Sequence, residues 1–258
     1  MIRSYVERGL LAGSAGGLAF GLFVALVGNP LVGYVEELGH AAGEGQHSGA
    51  AASEAAHHAG EGLLPGAVTS AVSVGGGVFW GLLLGAVFFG VVYYFLEPAI
   101  PGEGATKRYV LAGAGFVTVS GAPWLVLPPQ PAGVEATLPT ETRILWYGGM
   151  LLAGAAVCLL AGLVYRRLSL RGARRPVATV AALAPLALLA IPVVAAPAAG
   201  ATGEVPAEMA LAYRGFVVFG QATLWFVLAS VHVWLGVPTG RLAGEAGHGI
   251  ERAADSAE

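Results

Sequence analysis

The densest chemistry in the chain lies between Glu36 and Glu61. Glu36, Glu37, His40, Glu44, His47, Glu54, His57, His58 and Glu61 place nine carboxylates and imidazoles within 26 residues, with no Lys or Arg among them. Imidazole and carboxylate together are ligands for first-row divalent cations. Spacing adds to composition. His40, Glu44 and His47 stand at i, i+4 and i+7, and Glu54, His58 and Glu61 repeat that pattern with His57 alongside. On a helical stretch each trio shares one face. Gly43, Gly45, Gly49, Gly60 and Gly62 oppose a stable helix, so the segment is expected to order only when metal binds. A solvated acidic loop would account for the glutamates, but not for four of the protein's six histidines falling here. The expected metal ligands are His40, Glu44, His47, Glu54, His57, His58 and Glu61, and their donor types suit zinc, nickel, cobalt and copper alike.

Elsewhere the inventory is sparse. His232 lies inside a long apolar tract, and a buried ionisable group in such a tract defaults to function. The bland reading of His232 puts it at the membrane surface beside Trp234. Asn29, Gln221 and His232 are the candidates for a polar path through the apolar tracts, although such residues more often bond neighbouring helices. Haem ligation fits poorly because a second histidine within an apolar tract is missing. Neither a P-loop nor an HExxH motif occurs, and Gly75-Gly76-Gly77 is followed by no Lys-Ser/Thr. No enzyme activity and no nucleotide hydrolysis are therefore expected. The formal charge of -3 gives no reason to expect nucleic acid as a partner. Cys158, the single cysteine, has no intramolecular disulfide partner and reads as a small buried hydrophobe.

The elements that must position these groups are set by where charge is absent. With 56% hydrophobic and 11% charged residues, the chain falls outside the balance of water-soluble domains. Charged residues divide it into six uncharged tracts, each able to supply the roughly 20 apolar residues that cross a hydrocarbon core of about 30 Å. Trimming turn formers such as Gly28-Asn29-Pro30 and Pro128-Pro129 gives approximate spans 9–28, 70–96, 109–127, 144–165, 177–199 and 215–237, an external His/Glu-rich loop 29–62 and a tail 238–258. The predicted fold class is all-α: a polytopic integral membrane helical bundle, one transmembrane domain in a lipid bilayer. The first tract reads as a signal anchor, too long for a cleaved signal peptide and followed by a poor cleavage site.

Orientation follows from Lys and Arg, which resist translocation. With the N-terminus inside, Arg3, Arg8, Lys107, Arg108, Arg166, Arg167, Arg171, Arg174, Arg175, Arg241 and Arg252 are cytoplasmic, eleven of thirteen basic residues. Arg143 and Arg214 remain outside, each at the start of a span where a long side chain can reach the interface. Both termini are thus expected in the cytoplasm.

Glycine and proline predict the packing. Gly9, Gly13, Gly17 and Gly21 form a four-residue ladder along span one, and Gly77, Gly81 and Gly85 repeat it in span two. Lipid gives helices no hydrophobic reason to associate, so close approach through small residues is a main source of contact energy, and these two spans are expected to pack together. Pro123 interrupts span three, and Pro185, Pro192 and Pro197 fall in or at the end of span five, freeing carbonyls that need another donor.

Several of these pieces together resemble one family. Gly28-Asn29-Pro30-Leu31, the His/Glu-rich loop, Leu96-Glu97-Pro98, Ala122-Pro123-Trp124 leading into Leu127-Pro128-Pro129-Gln130-Pro131-Ala132-Gly133, and Arg143 before Trp146-Tyr147 resemble the CbtA family of predicted cobalt transporter subunits. The resemblance implies a multi-pass subunit of the cytoplasmic membrane for uptake of Co2+, with Ni2+ or Zn2+ as other cargoes and no permanently bound cofactor. It also implies a small one-span partner subunit and an association with cobalamin synthesis. The competing expectation is a membrane-anchored metal-binding or assembly protein that transports nothing.

Overall fold

A computed structural model describes residues 2–33, 66–130, 135–197, 201–202 and 207–236. Among them are six helices long and apolar enough to cross a membrane: α1 (Ile2–Gly33), α2 (Val68–Leu96), α3 (Ala105–Val126), α4 (Thr140–Leu170), α5 (Arg175–Ala195) and α6 (Glu208–Leu235). These are the six expected tracts, and the fold is a polytopic helical bundle. The one extended feature among the described residues is a two-residue antiparallel pair, Glu135–Ala136 with Ala201–Thr202, which ties the segment before α4 to the segment after α5.

Most helices overrun the apolar tracts. The 32 residues of α1 make a rod of about 48 Å at 1.5 Å per residue, longer than a hydrocarbon core of about 30 Å. Its first two turns therefore stand in the interface, where Arg3 Nε pairs with Glu7 Oε1 at 2.7 Å. The α1 helix also passes through Gly28-Asn29-Pro30, the expected stop. A π segment at Val24–Gly28 widens the helix just before the proline, with the Asn29 N–H donating to Val24 O, so the missing donor of Pro30 falls where the ladder has already shifted. The α3 helix repeats the device: a π segment at Val117–Gly121 precedes Pro123. Pro123 cannot donate to Val119 O, and the Tyr147 hydroxyl of α4 donates to that carbonyl instead, at 2.9 Å. In α5, Pro185 lies in a 3₁₀ segment, Ala184–Leu189.

Lipid-facing and protein-facing surfaces are both apolar, so size decides which residue faces in. Leu145, Leu152, Val180 and Val194 are at least 70% exposed, which suits a hydrocarbon solvent and would be untenable over such an area in water. Small residues line the contacts. The α1 and α2 glycines interlock in antiparallel order: a Cβ on Gly9, Gly13 or Gly17 would collide with the carbonyl oxygen of Gly85, Gly81 or Gly77 respectively, and one on Gly21 would come within 2.7 Å of Val74 Cα. At the far end of this seam Asn29 and Ser73 hydrogen-bond at 3.2 Å, and Ser73 Oγ also donates to Thr69 O.

The α6 helix closes over α1, with Gly16 beneath Leu228 and Gly220 beneath Phe20 and Phe23. It crosses α3 where a Cβ on Gly115 would strike the Trp225 ring. One core, containing Ala12, Phe89, Tyr93, Leu111, Trp225 and Leu228, joins α1, α2, α3 and α6. A second, containing Ala122, Val126, Met150, Val157 and Leu189, joins α3, α4 and α5. Only α3 contributes to both. Between α3 and α4 the Cys158 thiol donates to Ala114 O at 3.7 Å, a packing role for that side chain.

Candidate functional site

The largest concentration of interior polar groups among the described residues lies at the end of the bundle that carries Tyr5. His232 occupies the last full turn of α6, on the same helical face as Trp225, Leu228 and Ala229, and is 1% exposed. Its neighbours on α2 are aromatic, with ring centroids 5.1 Å away for Phe89 and 5.4 Å for Tyr93. Both belong to a widened stretch. A π segment over Gly85–Val92, closed by the Tyr93 N–H donating to Phe88 O, buries Gly85, Phe89, Gly90 and Tyr93.

Charged groups enter from the ends of α2 and α3. Arg108 Nε donates to His232 Nδ1 at 3.2 Å, and its Nη1 donates to Gly104 O at 3.1 Å. The guanidinium carbon lies 5.7 Å from the centre of the Tyr93 ring, within cation–π range. Gly236 leaves room for it, since a Cβ there would come within 2.7 Å of Arg108 Nη2. On the other side of Tyr93, the Glu97 carboxylate accepts from the Tyr5 hydroxyl at 2.7 Å and from the Tyr93 hydroxyl at 3.3 Å. Lys107 Nζ donates to the Glu97 backbone carbonyl at 2.7 Å. The hairpin between α2 and α3 turns through Gly102 and Gly104 at φ 97° and 53°, a backbone that glycine adopts without strain, and so brings Lys107 and Arg108 back towards Glu97 and Tyr93.

The result is a chain of contacts, Tyr5 to Glu97 to Tyr93 to Arg108 and His232, drawn from α1, α2, α3 and α6. It offers a carboxylate, two phenols, an imidazole and a guanidinium at one end of the bundle. His232 Nε2 and Trp225 Nε1 are buried there with no hydrogen-bond partner among the described residues.

The sequence-derived candidates fall in three places. His40, Glu44, His47, Glu54, His57, His58 and Glu61 lie outside the described residues. Asn29 bonds Ser73 across the α1–α2 seam, an interhelical contact of the common kind, worth about 0.6 kcal/mol on average in membrane bundles. Gln221 is half-buried near the middle of α6, about three turns from His232. His232 is enclosed within the bundle, and its side chain diverges on α6 from that of Trp234, which is 71% exposed.

Glu97, Tyr5, Tyr93 and Arg108 were not expected as site residues. The available signal was the i, i+4 pair Tyr93 and Glu97 at the end of a span with Lys107-Arg108 opening the next. No group of three or more His, Cys, Asp or Glu side chains converges among the described residues. A groove of about 240 Å³ between α3 and α6, lined by Tyr109, Ala112, Phe116, Trp225 and Phe226 among others, is apolar and offers a cation no charged ligand.

Six apolar spans, glycine seams and an interior polar cluster near one end define a multi-pass helical membrane protein. The family model for CbtA, described as a probable cobalt transporter subunit, matches residues 2–236, and the chain belongs to that family. Neither a curated protein nor a solved structure matches it.

Proposed function

We propose that this chain is the membrane-embedded subunit of a system that takes up a divalent cation, cobalt before nickel or zinc, across the cytoplasmic membrane, with no enzymatic step of its own. The single observation that carries this reading is membership of the CbtA family over almost the whole bundle. In this reading the His/Glu-rich segment between α1 and α2 lies outside the cell and captures the ion, and the bundle passes it inward with the help of a smaller one-span subunit.

Orientation is part of the same proposal. The helices alternate in direction, as the antiparallel glycine seam of α1 with α2 and the pairings of Tyr147 with Val119 and Cys158 with Ala114 between α4 and α3 illustrate. That alternation gathers Arg3, Arg8, Lys107, Arg108, Arg166, Arg167, Arg171, Arg174 and Arg175 at one end, and the resistance of such basic loops to translocation favours that end as cytoplasmic.

Cobalt accumulation in proteoliposomes, measured with this chain alone and with its partner subunit, tests the function. Uptake above protein-free vesicles is expected with the partner present. A chain that binds cobalt yet gives no uptake in either preparation is instead a membrane-anchored metal-binding or assembly protein. For orientation, single cysteines introduced at His47 and Arg171 in a Cys158→Ala chain are expected to react with an impermeant thiol reagent from outside and from the cytoplasm respectively. Labelling of both from one side would refute the topology.

A further inference from the structure

Where α4 turns into α5 the chain concentrates positive charge. Arg166, Arg167, Arg171, Arg174 and Arg175 lie there, and no Asp or Glu occurs from Thr142 to Gly203. All five side chains are exposed. Near the same end of the bundle, Arg3 pairs with Glu7, Lys107 with the Glu97 carbonyl, and Arg108 with His232 and Gly104 O. The five hairpin arginines have no such partner among the described residues. The turn that gathers them is closed on itself: the Arg171 N–H donates to Arg167 O, the Ala173 N–H donates to Leu168 O at 3.0 Å, and Gly172 takes φ 77°.

Depth decides what such a cluster meets. About 20 residues of α4, from Ile144 to Leu163, cover the hydrocarbon core of about 30 Å. Arg166 and Arg167 then stand roughly 4–6 Å beyond its edge, inside a headgroup layer about 5–8 Å thick. On α5 the apolar run starts directly after Arg175, so Arg174 and Arg175 flank the core at a similar level. Leu163, Leu170, Val177 and Val180, on either side of the arginines, are exposed in the manner of lipid-facing side chains. The cluster is level with lipid phosphates, and the mutual repulsion of its charges is relieved only by an anion from outside the chain.

We propose that the α4–α5 hairpin is a binding site for anionic phospholipid, with the five arginines holding the headgroup phosphate and the acyl chains lying along Leu163, Val177 and Val180. A guanidinium fork matches a phosphate in shape and charge. Exposed arginines at headgroup depth suit a ligand that arrives in the plane of the membrane. The bound lipid also supplies a fastening that the protein omits. At this end α1, α2, α3 and α6 are tied together by Tyr5 with Glu97, Lys107 with the Glu97 carbonyl and Arg108 with His232, whereas no such bond reaches the hairpin among the described residues. The inference concerns α4 and α5 alone and stands whichever ion the chain carries.

The test uses the full chain in phosphatidylcholine nanodiscs, with a fluorophore attached through Ser169→Cys in a Cys158→Ala background to report the lipid beside the hairpin. The nanodiscs are doped with phosphatidylglycerol or phosphatidylcholine carrying a nitroxide quencher at the top of the acyl chain. The phosphatidylglycerol probe is expected to reach half-maximal quenching at a mole fraction at least about fivefold lower, the attraction that a single arginine contributes near an anionic surface. Arg171→Gln, Arg174→Gln and Arg175→Gln together should remove most of that preference, while Arg166 and Arg167 stay to hold the hairpin on its side of the membrane. Equal quenching by the two lipids in the parent, or an undiminished preference in the triple variant, overturns the proposal.

Replacing chloride by inorganic phosphate at constant ionic strength separates the two sources of phosphate. A preference that survives the exchange supports a lipid site, and one that vanishes assigns the cluster to a soluble anion and overturns the proposal. Should the triple variant fail to insert, salt gives the decision with all five arginines in place. Raising the ionic strength from about 0.01 M to about 1 M shortens the screening length from about 30 Å to about 3 Å. The preference for phosphatidylglycerol should then collapse, and its persistence overturns the proposal.

Discussion

Gly13→Leu and Gly17→Leu are each expected to prevent α1 and α2 from docking, with loss of monodisperse, folded protein after extraction. The glycines on the two helices meet backbone to backbone. A Cβ at Gly13 would collide with Gly81 O, and one at Gly17 with Gly77 O and, at 2.9 Å, with Val78 Cα. Overpacking a core with side chains costs about 1–3 kcal/mol because side chains can shift. Here the obstacles are main-chain atoms on a helix whose own glycines sit against α1, so the cost lies at or beyond the top of that range.

Gly75→Leu and Gly76→Leu provide the control. They fall on the same glycine-rich stretch of α2, yet an added Cβ there meets nothing within 4 Å, and both variants are expected to purify like the parent. Size-exclusion profiles and thermal aggregation of the four variants decide the matter. Equal behaviour of Gly13→Leu and Gly76→Leu would show the ladder to be an accident of composition.

The contrast between these glycines shows what sequence can disclose about such a fold. The spans were legible because charge is costly in hydrocarbon, so charged residues mark where the chain must leave it. The α1–α2 seam was legible because a four-residue repeat of small residues on two successive helices has one economical arrangement.

Helix ends were less so. Rules for water-soluble helices make Asn29-Pro30 a stop, yet in a bundle α1 continues to Gly33 through a widened turn, since there is no water to take up the freed groups and a π segment satisfies them internally. The polar cluster was not legible at all beyond His232. Its five residues come from the ends of four helices, where an ionisable residue is ordinarily just an interfacial anchor. Tyr93, Glu97 and Arg108 acquire meaning only once the hairpin through Gly102 and Gly104 folds them against α6.

Replacement of His40, His47, His57 and His58 by Ala together is expected to weaken cobalt capture from outside by at least about tenfold while leaving membrane insertion intact. The two halves of that expectation have separate grounds. Insertion depends on the apolar tracts and the glycine seam, all of which lie outside the segment. In the proposed reading capture depends on nitrogen ligands, since the carboxylates left behind bind first-row dications with less selectivity. Single substitutions are expected to do little, because four imidazoles and several glutamates offer overlapping ligand sets.

Acid provides an independent handle on the same groups. An unperturbed imidazole protonates near pH 6.5, and a protonated ring has no lone pair for a metal, so affinity in the parent is expected to fall as pH drops through that value. The quadruple variant, which keeps only His232 and His248, should show a smaller step there beside the weaker dependence that carboxylates show near pH 4. His232 is unchanged between the two proteins, so whatever it contributes is common to both titrations and drops out of the comparison. Cobalt titrations of parent and variant at neutral and mildly acidic pH separate the outcomes. Equal affinities with equal pH dependence would mean that His40, His47, His57 and His58 are filling, and that the first ligands the ion meets must be sought within the spans.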